Sequence, residues 1–184
     1  MCIRDRFNGA IAGISLDGKQ YYYVNALETS PDGLDNPDRH HVLSHRVDWF
    51  GCACCPPNVA RMVSSFGSYA YSENEDTFFI DLYAGGTVKT EKGITLTCET
   101  DFPHGGTAKY TIKGEAETTV AIRIPAWSEK SLLTVNGEVV DLNAVTKDGY
   151  AYITRAWKDG DTLALTMDMT PVSYTHLRAH ETVL

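Results

Sequence analysis

The stretch Trp49-Phe-Gly-Cys-Ala-Cys-Cys-Pro-Pro-Asn58 carries three of the five cysteines of the chain, Cys52, Cys54 and Cys55. Two prolines follow at once, and proline is tolerated in the first turn of a helix, where its missing N–H would have had no partner. Apolar residues at helical spacing come next. The pattern predicts a helix from Pro56 to about Tyr71, with the cysteines at its N-terminus, where the helix dipole lowers the pKa of a thiol. A thiolate in this position is suited to act as a nucleophile or as a metal ligand.

Competing interpretations of the cysteine cluster stay open from the residues alone. Buried structural cysteines are common, because a free cysteine behaves as a small hydrophobic residue. A disulfide between Cys54 and Cys55 is disfavoured, because adjacent residues give poor disulfide geometry. A complete zinc site needs further ligands, and the nearby candidates are Cys98, His40, His41 and His45. The cluster therefore indicates reactive or metal-bound thiols without naming a reaction.

The segment Trp49–Arg61, together with Tyr22-Tyr-Val-Asn25, resembles glycoside hydrolase family 127, the β-L-arabinofuranosidases and their close relatives. The Cys-Cys-Pro-Pro-Asn core is uncommon, and the resemblance covers roughly residues 7–170. It implies a retaining hydrolysis in which a zinc-bound cysteine is the nucleophile. By this resemblance Cys54 is the nucleophile, and Cys54 and Cys55 are both zinc ligands.

Other site residues of the family have no counterpart in this sequence. In the family, a Glu-x-Cys pair supplies further zinc ligands and a glutamate acts as acid/base, and both lie upstream of the cysteine motif. Ala26 also stands where relatives usually have proline, a departure of little consequence. The resemblance implies a parent glycosidase that acts on arabinofuranose-containing oligosaccharides, and a chain that is inactive by itself.

Residues 7–25 have the pattern of a β-hairpin, with a turn at Asp17-Gly18 and an aromatic strand after it. Tyr21, Tyr23 and Asn25 alternate onto one face of that strand. A tyrosine stripe usually packs in a core, but the resemblance puts this strand beside the sugar pocket. Tyr23 is therefore a substrate-binding candidate, and the resemblance implies that Cys52 also lies beside the pocket as a second one. Residues 27–48 are polar and loop-like, and their histidines are expected to be solvated rather than zinc-bound.

From Thr77 onward the hydrophobic period changes from helical to two. Eight short alternating segments, separated by turn signals such as Asn136-Gly137 and Asp148-Gly149, predict an antiparallel β-sandwich. Ile122–Trp127 and Trp157–Asp161 resemble the β-sandwich that follows the catalytic barrel of the family. Two tryptophans, Trp127 and Trp157, are expected to pack in the core rather than to stack against a sugar. Cys98 is expected to be buried and inert.

The fold class expected for the whole chain is mostly β, with some α+β character. Residues 7–72 are expected to form the tail of an (α/α)6 barrel whose helix packs its Met62, Val63, Phe66 and Tyr69 face in a core, and residues 77–171 the sandwich. An acidic link, Ser72–Asp76, is predicted between them. Residues 1–6 and 172–184 do not continue the patterns beside them, so we interpret them as a non-native leader and tail.

Composition excludes some classes of partner. The chain has 184 residues, 43% of them hydrophobic, and a formal net charge of −8. The hydrophobic content is sufficient for a core, and the negative charge argues against nucleic acid or an anionic membrane as partner. Two rival functions stay open: a sugar-binding sandwich that needs no cysteine, and a structural zinc or redox module without glycosidase activity.

Overall fold

A computed structural model of the chain describes residues 13–15, 17–21, 45–48 and 55–170. The chain divides into two compact units, Met1–Ala70 and Tyr71–Leu184. In the first unit, helix α1 spans Cys55–Ser65 and the short helix α2 spans Gly67–Ala70. The predicted single helix is therefore interrupted after Ser65.

Two serines near the end of α1 explain why this helix stops there. The hydroxyl groups of Ser64 and Ser65 both donate to the carbonyl oxygen of Arg61, at 3.0 and 2.8 Å. Such side-chain bonds compete with the backbone hydrogen bonds of the helix, and Gly67 follows two residues later. On the apolar face of this helix, Val63 is 56% and Tyr69 45% exposed, while Met62 and Phe66 are half-buried; packing of this face in a barrel core stays a prediction for the complete protein.

The turn predicted at Asp17-Gly18 is confirmed. Ile14 and Tyr21 form an antiparallel bridge across it, and the N–H of Ser15 donates to the carbonyl oxygen of Gln20 at 2.7 Å. Gly18 has a φ of 72°, a conformation that glycine adopts at little cost. Tyr21 also forms an antiparallel bridge with Val47, which connects residues 45–48 to this turn.

The described residues of the second unit, 71–170, consist mainly of short strands, with one short helix. The elements are β1 Tyr71–Glu73, β2 Thr77–Ile80, β3 Gly86–Lys89, β4 Thr95–Thr100, β5 Thr107–Lys113, β6 Ala116–Arg123, β7 Leu132–Val135, β8 Glu138–Val140, α3 Leu142–Val145, β9 Thr146–Lys147, β10 Tyr150–Trp157 and β11 Thr162–Thr166. They form a five-stranded sheet of order β1-β2-β6-β10-β9 and a six-stranded sheet of order β3-β4-β5-β11-β7-β8. The mostly β architecture expected from the sequence is present.

Alternation of side chains explains how the two sheets pack. Strand β5 alternates strictly between exposed and buried residues, because successive side chains of a strand point to opposite faces. The buried residues of both sheets form one hydrophobic cluster, in which the largest fully buried side chains are Trp157, Tyr110, Ile80, Ile94, Leu96, Ile112, Ile122, Leu133, Leu163, Leu165 and Val120. The second unit is therefore a β-sandwich with a single core.

Two hairpins close with the turn residues that the sequence indicated. Asn136 and Gly137, between β7 and β8, have φ values of 53° and 83°. Asp148 and Gly149, between β9 and β10, have φ values of 51° and 83°. Two consecutive positive φ angles are the mark of the tight turn whose twist matches that of the flanking strands, so both predicted turns are confirmed.

Three features of the sandwich differ from the prediction. Strand β1 occupies part of the predicted acidic link, since Ser72 pairs with Phe79 of β2. The short strands β8 and β9 were not expected. Strands β2 and β6 pair in parallel, whereas the sequence predicted a purely antiparallel arrangement. No helix in the part of the chain that the structure describes is long and apolar enough to cross a membrane.

The core contains a buried phenol that faces a thiol. The Tyr110 hydroxyl is buried and makes no hydrogen bond to an oxygen or nitrogen in the described part of the chain. Its cross-strand neighbour Cys98 offers only a thiol, a weak hydrogen-bonding group. Burial raises the pKa of Tyr110 far above its ordinary value, with the Cys98 thiol as a further cause. The hydroxyl of Tyr83, by contrast, donates to the carbonyl oxygen of Arg123.

We expect Tyr110→Phe to leave the free energy of unfolding unchanged or to raise it, because the substitution removes an unsatisfied buried group whose burial costs about 1–3 kcal/mol. Tyr83→Phe is the matched control, since it removes the same atom from a position where the hydroxyl is paired, and it should lower stability by about 1 kcal/mol. Urea unfolding followed by circular dichroism measures both. A Tyr110→Phe chain that loses as much stability as Tyr83→Phe would contradict this account.

Candidate functional site

The cysteine cluster lies at the start of α1. The helix begins at Cys55. The prediction that Cys55 lies at a helix N-terminus is therefore confirmed for its backbone. Cys52, Cys54 and Tyr23, predicted as nucleophile, ligand or substrate-binding residues, lie outside the described residues, and so does the side chain of Cys55. The structure therefore describes the helix that follows the thiols.

The first turn of α1 has fewer backbone N–H donors than the first turn of most helices. The first four N–H groups of a helix have no partner within the helix and are available to an anion. In α1 two of these four positions are Pro56 and Pro57, which have no N–H. A thiolate at this end gains fewer direct hydrogen bonds than usual, and the helix dipole contributes only about 0.3–1 kcal/mol at a surface. Strong activation of a thiol here requires an additional source of positive charge.

Metal donors within the described ranges are not clustered. No group of three or more His, Cys, Asp or Glu side chains in residues 13–15, 17–21, 45–48 and 55–170 is arranged to hold a metal ion. His45 is exposed, while His40 and His41 lie outside these ranges. Zinc sites use three or four protein ligands. The two adjacent thiols Cys54 and Cys55 are suitable in kind for zinc, but they are too few to complete a site.

Cys98 is a core residue of the sandwich. It is 4% exposed in strand β4, opposite Tyr110 of β5. Burial raises the pKa of its thiol, so at neutral pH it is protonated and a poor nucleophile or ligand. The prediction that Cys98 is buried is confirmed, and its low reactivity stays a prediction.

The two tryptophans of the sandwich also belong to its core. Trp157 is 1% exposed, and its indole N–H donates to the carbonyl oxygen of Thr118 at 3.1 Å. Trp127 is half-buried and packs against the core cluster. Burial of Trp157 excludes it as a sugar platform, as the sequence predicted.

Sequence reasoning missed a set of aromatic side chains on the outer face of the five-stranded sheet. The ring centroids of Phe79 and Tyr150 are 5.6 Å apart, and those of Phe79 and Tyr152 are 6.2 Å apart. In both pairs the ring planes are nearly perpendicular, at 88°. All three side chains are half-buried. We call these three residues the aromatic patch. The sequence contained a signal that these side chains point away from the core. Phe79 follows the core residue Phe78, and Tyr150 and Tyr152 flank the core residue Ala151.

Polar groups surround one end of the aromatic patch. The Asp81 carboxylate accepts a hydrogen bond from the Tyr150 hydroxyl at 2.6 Å and from the Ser72 hydroxyl at 2.9 Å. Burial raises the pKa of Tyr150 to about 12, and the hydrogen bond to Asp81 raises it as well, whereas the charge of Arg123 lowers it. At neutral pH this phenol therefore keeps its proton and acts as a donor.

Comparison with protein families matches the two parts of the chain in turn. Residues 3–68 match the model of the GH127 β-L-arabinofuranosidase catalytic domain. Residues 77–169 match the model of the GH127 β-L-arabinofuranosidase middle domain. The first match contains the cysteine cluster, and the second contains β2 to β11 of the sandwich.

Individual relatives agree with the family models. A non-reducing end β-L-arabinofuranosidase of Bifidobacterium longum subsp. longum is 49% identical over 91% of this chain and 26% of its own length. The crystal structure of a GH127 β-L-arabinofuranosidase from Geobacillus stearothermophilus T6 matches with a TM-score of 0.74 and 40% identity, over 93% of this chain and 28% of that chain. A GH127 β-arabinofuranosidase structure matches with a TM-score of 0.69 and 31% identity, over 90% of this chain and 27% of that chain.

The chain thus spans about a quarter of the length of these relatives. The family models nevertheless cover most of its residues, in the order in which catalytic and middle domain follow each other along the sequence. The chain belongs to the GH127 β-L-arabinofuranosidase family.

Proposed function

We propose that this chain is part of a retaining glycoside hydrolase that releases L-arabinofuranose from β-L-arabinofuranosides. The observation that carries the proposal is the match of residues 3–68, including the cysteine cluster, to the catalytic domain of the GH127 family. The 49% identity to a relative named for this activity supports the same substrate class. In the proposed architecture, residues 7–72 form the end of an (α/α)6 catalytic barrel, and the β-sandwich follows it.

In this proposal the Cys54 thiolate attacks the anomeric carbon and forms a thioglycosyl enzyme. A glutamate from outside this chain protonates the leaving oxygen and then activates the water that releases the sugar, since retention requires two displacements. Tyr23 and Cys52 border the sugar. Each of these roles is assigned from the resemblance of Trp49–Arg61 and Tyr22–Asn25 to the family.

The attack requires an ionised sulfur, and an ordinary cysteine is only a few per cent thiolate at pH 7. The first turn of α1 supplies little of the activation, because Pro56 and Pro57 provide no N–H donors. Zinc, when bound, supplies the positive charge that deprotonates a coordinating thiol. We propose that Cys54 and Cys55 provide two of its ligands and that the remaining ligands come from residues outside this chain.

The stereochemistry of the released sugar tests this proposal in the complete protein that carries the segment. Hydrolysis of an aryl β-L-arabinofuranoside, followed by proton NMR from the first seconds, should show the β anomer of arabinose first, because two successive inversions restore the configuration. Initial appearance of the α anomer would exclude a covalent nucleophile. Absence of any hydrolysis would exclude the substrate class.

The 184-residue chain should be inactive in the same assay and should bind less than one equivalent of zinc. Two thiols are fewer than the three or four protein ligands of known zinc sites, and each ligand contributes to the binding free energy. Metal analysis after dialysis, with the Cys54→Ala chain as control, measures the zinc content. One equivalent of zinc, or turnover above the control, would show that the chain contains a complete site.

A further inference from the structure

The outer faces of the two sheets differ in chemistry. On the part of the six-stranded sheet formed by β3, β4 and β5 the outward residues are small or charged: Thr87, Thr97 and Thr111 stand in one row, beside Glu99 and Lys109. They are exposed, which is the usual state of the solvent face of a sandwich. The outer face of the five-stranded sheet instead carries the aromatic patch.

The pairing register brings the aromatic patch together on three adjacent strands. Phe79 of β2 pairs with Ala121 of β6, and Ala121 pairs with Tyr152 of β10. Tyr150 lies two residues before Tyr152, on the same face. Ala121 points outward between these rings and is nevertheless fully buried. The small side chain at this central position lets the three aromatic rings meet over the sheet.

The polar border of the patch is organised by Asp81. Its two carboxylate oxygens each accept one hydrogen bond, from Tyr150 and from Ser72, and a carboxylate has about four acceptor positions. Arg123 ends β6 next to Tyr150 in the paired register. The aromatic patch therefore has a polar border, which offers charged and hydroxyl groups with remaining hydrogen-bonding capacity.

We propose that the aromatic patch, with Asp81 and Arg123, is a binding surface for a neutral saccharide, separate from the thiol chemistry of the first unit. Sugars present apolar C–H faces that pack on aromatic rings and hydroxyl groups that bond to carboxylate and guanidinium. An apolar partner would bury Asp81 and Arg123 without replacing their water, which is costly. A charged polymer is not favoured either, because this border contains both a carboxylate and a guanidinium. The surface does not depend on Cys54 being a nucleophile.

The test uses the 184-residue chain in native gels that contain soluble arabinan or, separately, xylan. The chain should be retarded by at least one of these polysaccharides. Tyr152→Ala should weaken the retardation about tenfold or more, because it removes a ring of the patch. Lys109→Ala, an exposed change on the outer face of the other sheet, is the matched control and should leave retardation unchanged. Equal urea midpoints for the two variants confirm that both are folded.

The outcomes separate this inference from the proposed activity. Retardation by arabinan, by xylan or by both would support the saccharide surface, whatever the outcome of the hydrolysis assay. No retardation in either gel, or equal loss in Tyr152→Ala and Lys109→Ala, would overturn the inference. Tetranitromethane treatment of the complete protein gives a second measure. Protection of Tyr152 in the complete protein but not in the 184-residue chain, both without sugar, would mean that another part of the protein covers the patch, which also overturns the inference.

Discussion

Replacing Cys54 with serine in the complete protein should abolish hydrolysis of aryl β-L-arabinofuranosides, with a loss in kcat of at least about a thousandfold. Serine keeps the shape of the side chain, but its hydroxyl ionises far less readily than a thiol and is a weak nucleophile without an adjacent base. The sandwich should keep its fold, because the described core cluster is formed by residues between Phe78 and Met167. Steady-state kinetics and circular dichroism measure the two effects.

Covalent labelling identifies the nucleophile independently of the rate. A mechanism-based arabinofuranosyl electrophile should add one sugar mass to the complete protein, and peptide mapping should place it on Cys54. Cys52→Ser is the matched control, because it removes a thiol two residues away and should still be labelled. A label on Cys52 or on a carboxylate would refute the assignment.

Cys55 is expected to act through the metal. Cys55→Ser should lower the zinc content first and the activity as a consequence, because serine is a poor zinc ligand and thiolate is a preferred one. The two substitutions are therefore distinguishable: we expect Cys54→Ser to stop turnover in protein that retains some zinc, and added zinc to restore part of the activity of Cys55→Ser. Activity of Cys55→Ser at the level of the unmodified protein would remove Cys55 from the proposed site.

The sandwich was predictable from the sequence because local signals and the buried core agree. Strands such as β5 alternate without interruption, and the Asn136-Gly137 and Asp148-Gly149 turns require the positive φ angles that these residues tolerate. Such short-range information specifies where strands begin and end. It does not specify which strands pair, so the parallel pairing of β2 with β6 could not be deduced from alternation alone.

The short strands were missed for a related reason. Strands β1, β8 and β9 span three, three and two residues, which is too short for a period to be recognised. Their pairing partners define them: β1 pairs with β2, β8 with β7, and β9 with β10. Ser72 and Glu73 appeared to belong to a polar link, because an edge strand needs few apolar residues.

The candidate site was accessible to sequence reasoning only through its motif. The roles of Cys54, Cys55, Cys52 and Tyr23 depend on residues that are distant in the chain or outside it, and no local pattern can identify such partners. The structure adds the start of α1 at Cys55 and, with it, the loss of two N–H donors at Pro56 and Pro57. The aromatic patch was missed because the sequence does not show that Phe79 and Tyr152 flank the same alanine.

The largest expected effect on stability comes from Trp157, at the end of β10. Its ring is almost completely buried in the core cluster, and its N–H donates to the carbonyl oxygen of Thr118. The Arg155 guanidinium lies over the ring, 5.3 Å from its centroid, and it also approaches Asp161 at 3.4 Å. Removal of the ring therefore opens a cavity and takes the indole N–H away from the Thr118 carbonyl oxygen, while Arg155 loses its ring contact and keeps its ion pair with Asp161.

Trp157→Ala in the 184-residue chain should lower the free energy of unfolding by about 3–5 kcal/mol, a large share of the roughly 5–15 kcal/mol that stabilises a typical domain. Trp157→Phe should cost less, because it keeps a ring in the core and loses the hydrogen bond to Thr118. Trp127→Ala is the control for tryptophan removal at a half-buried position, and its cost should be smaller than that of Trp157→Ala. Urea unfolding followed by far-ultraviolet circular dichroism avoids reliance on tryptophan fluorescence. A Trp157→Ala chain no less stable than Trp127→Ala would mean that Trp157 does not hold the two sheets together.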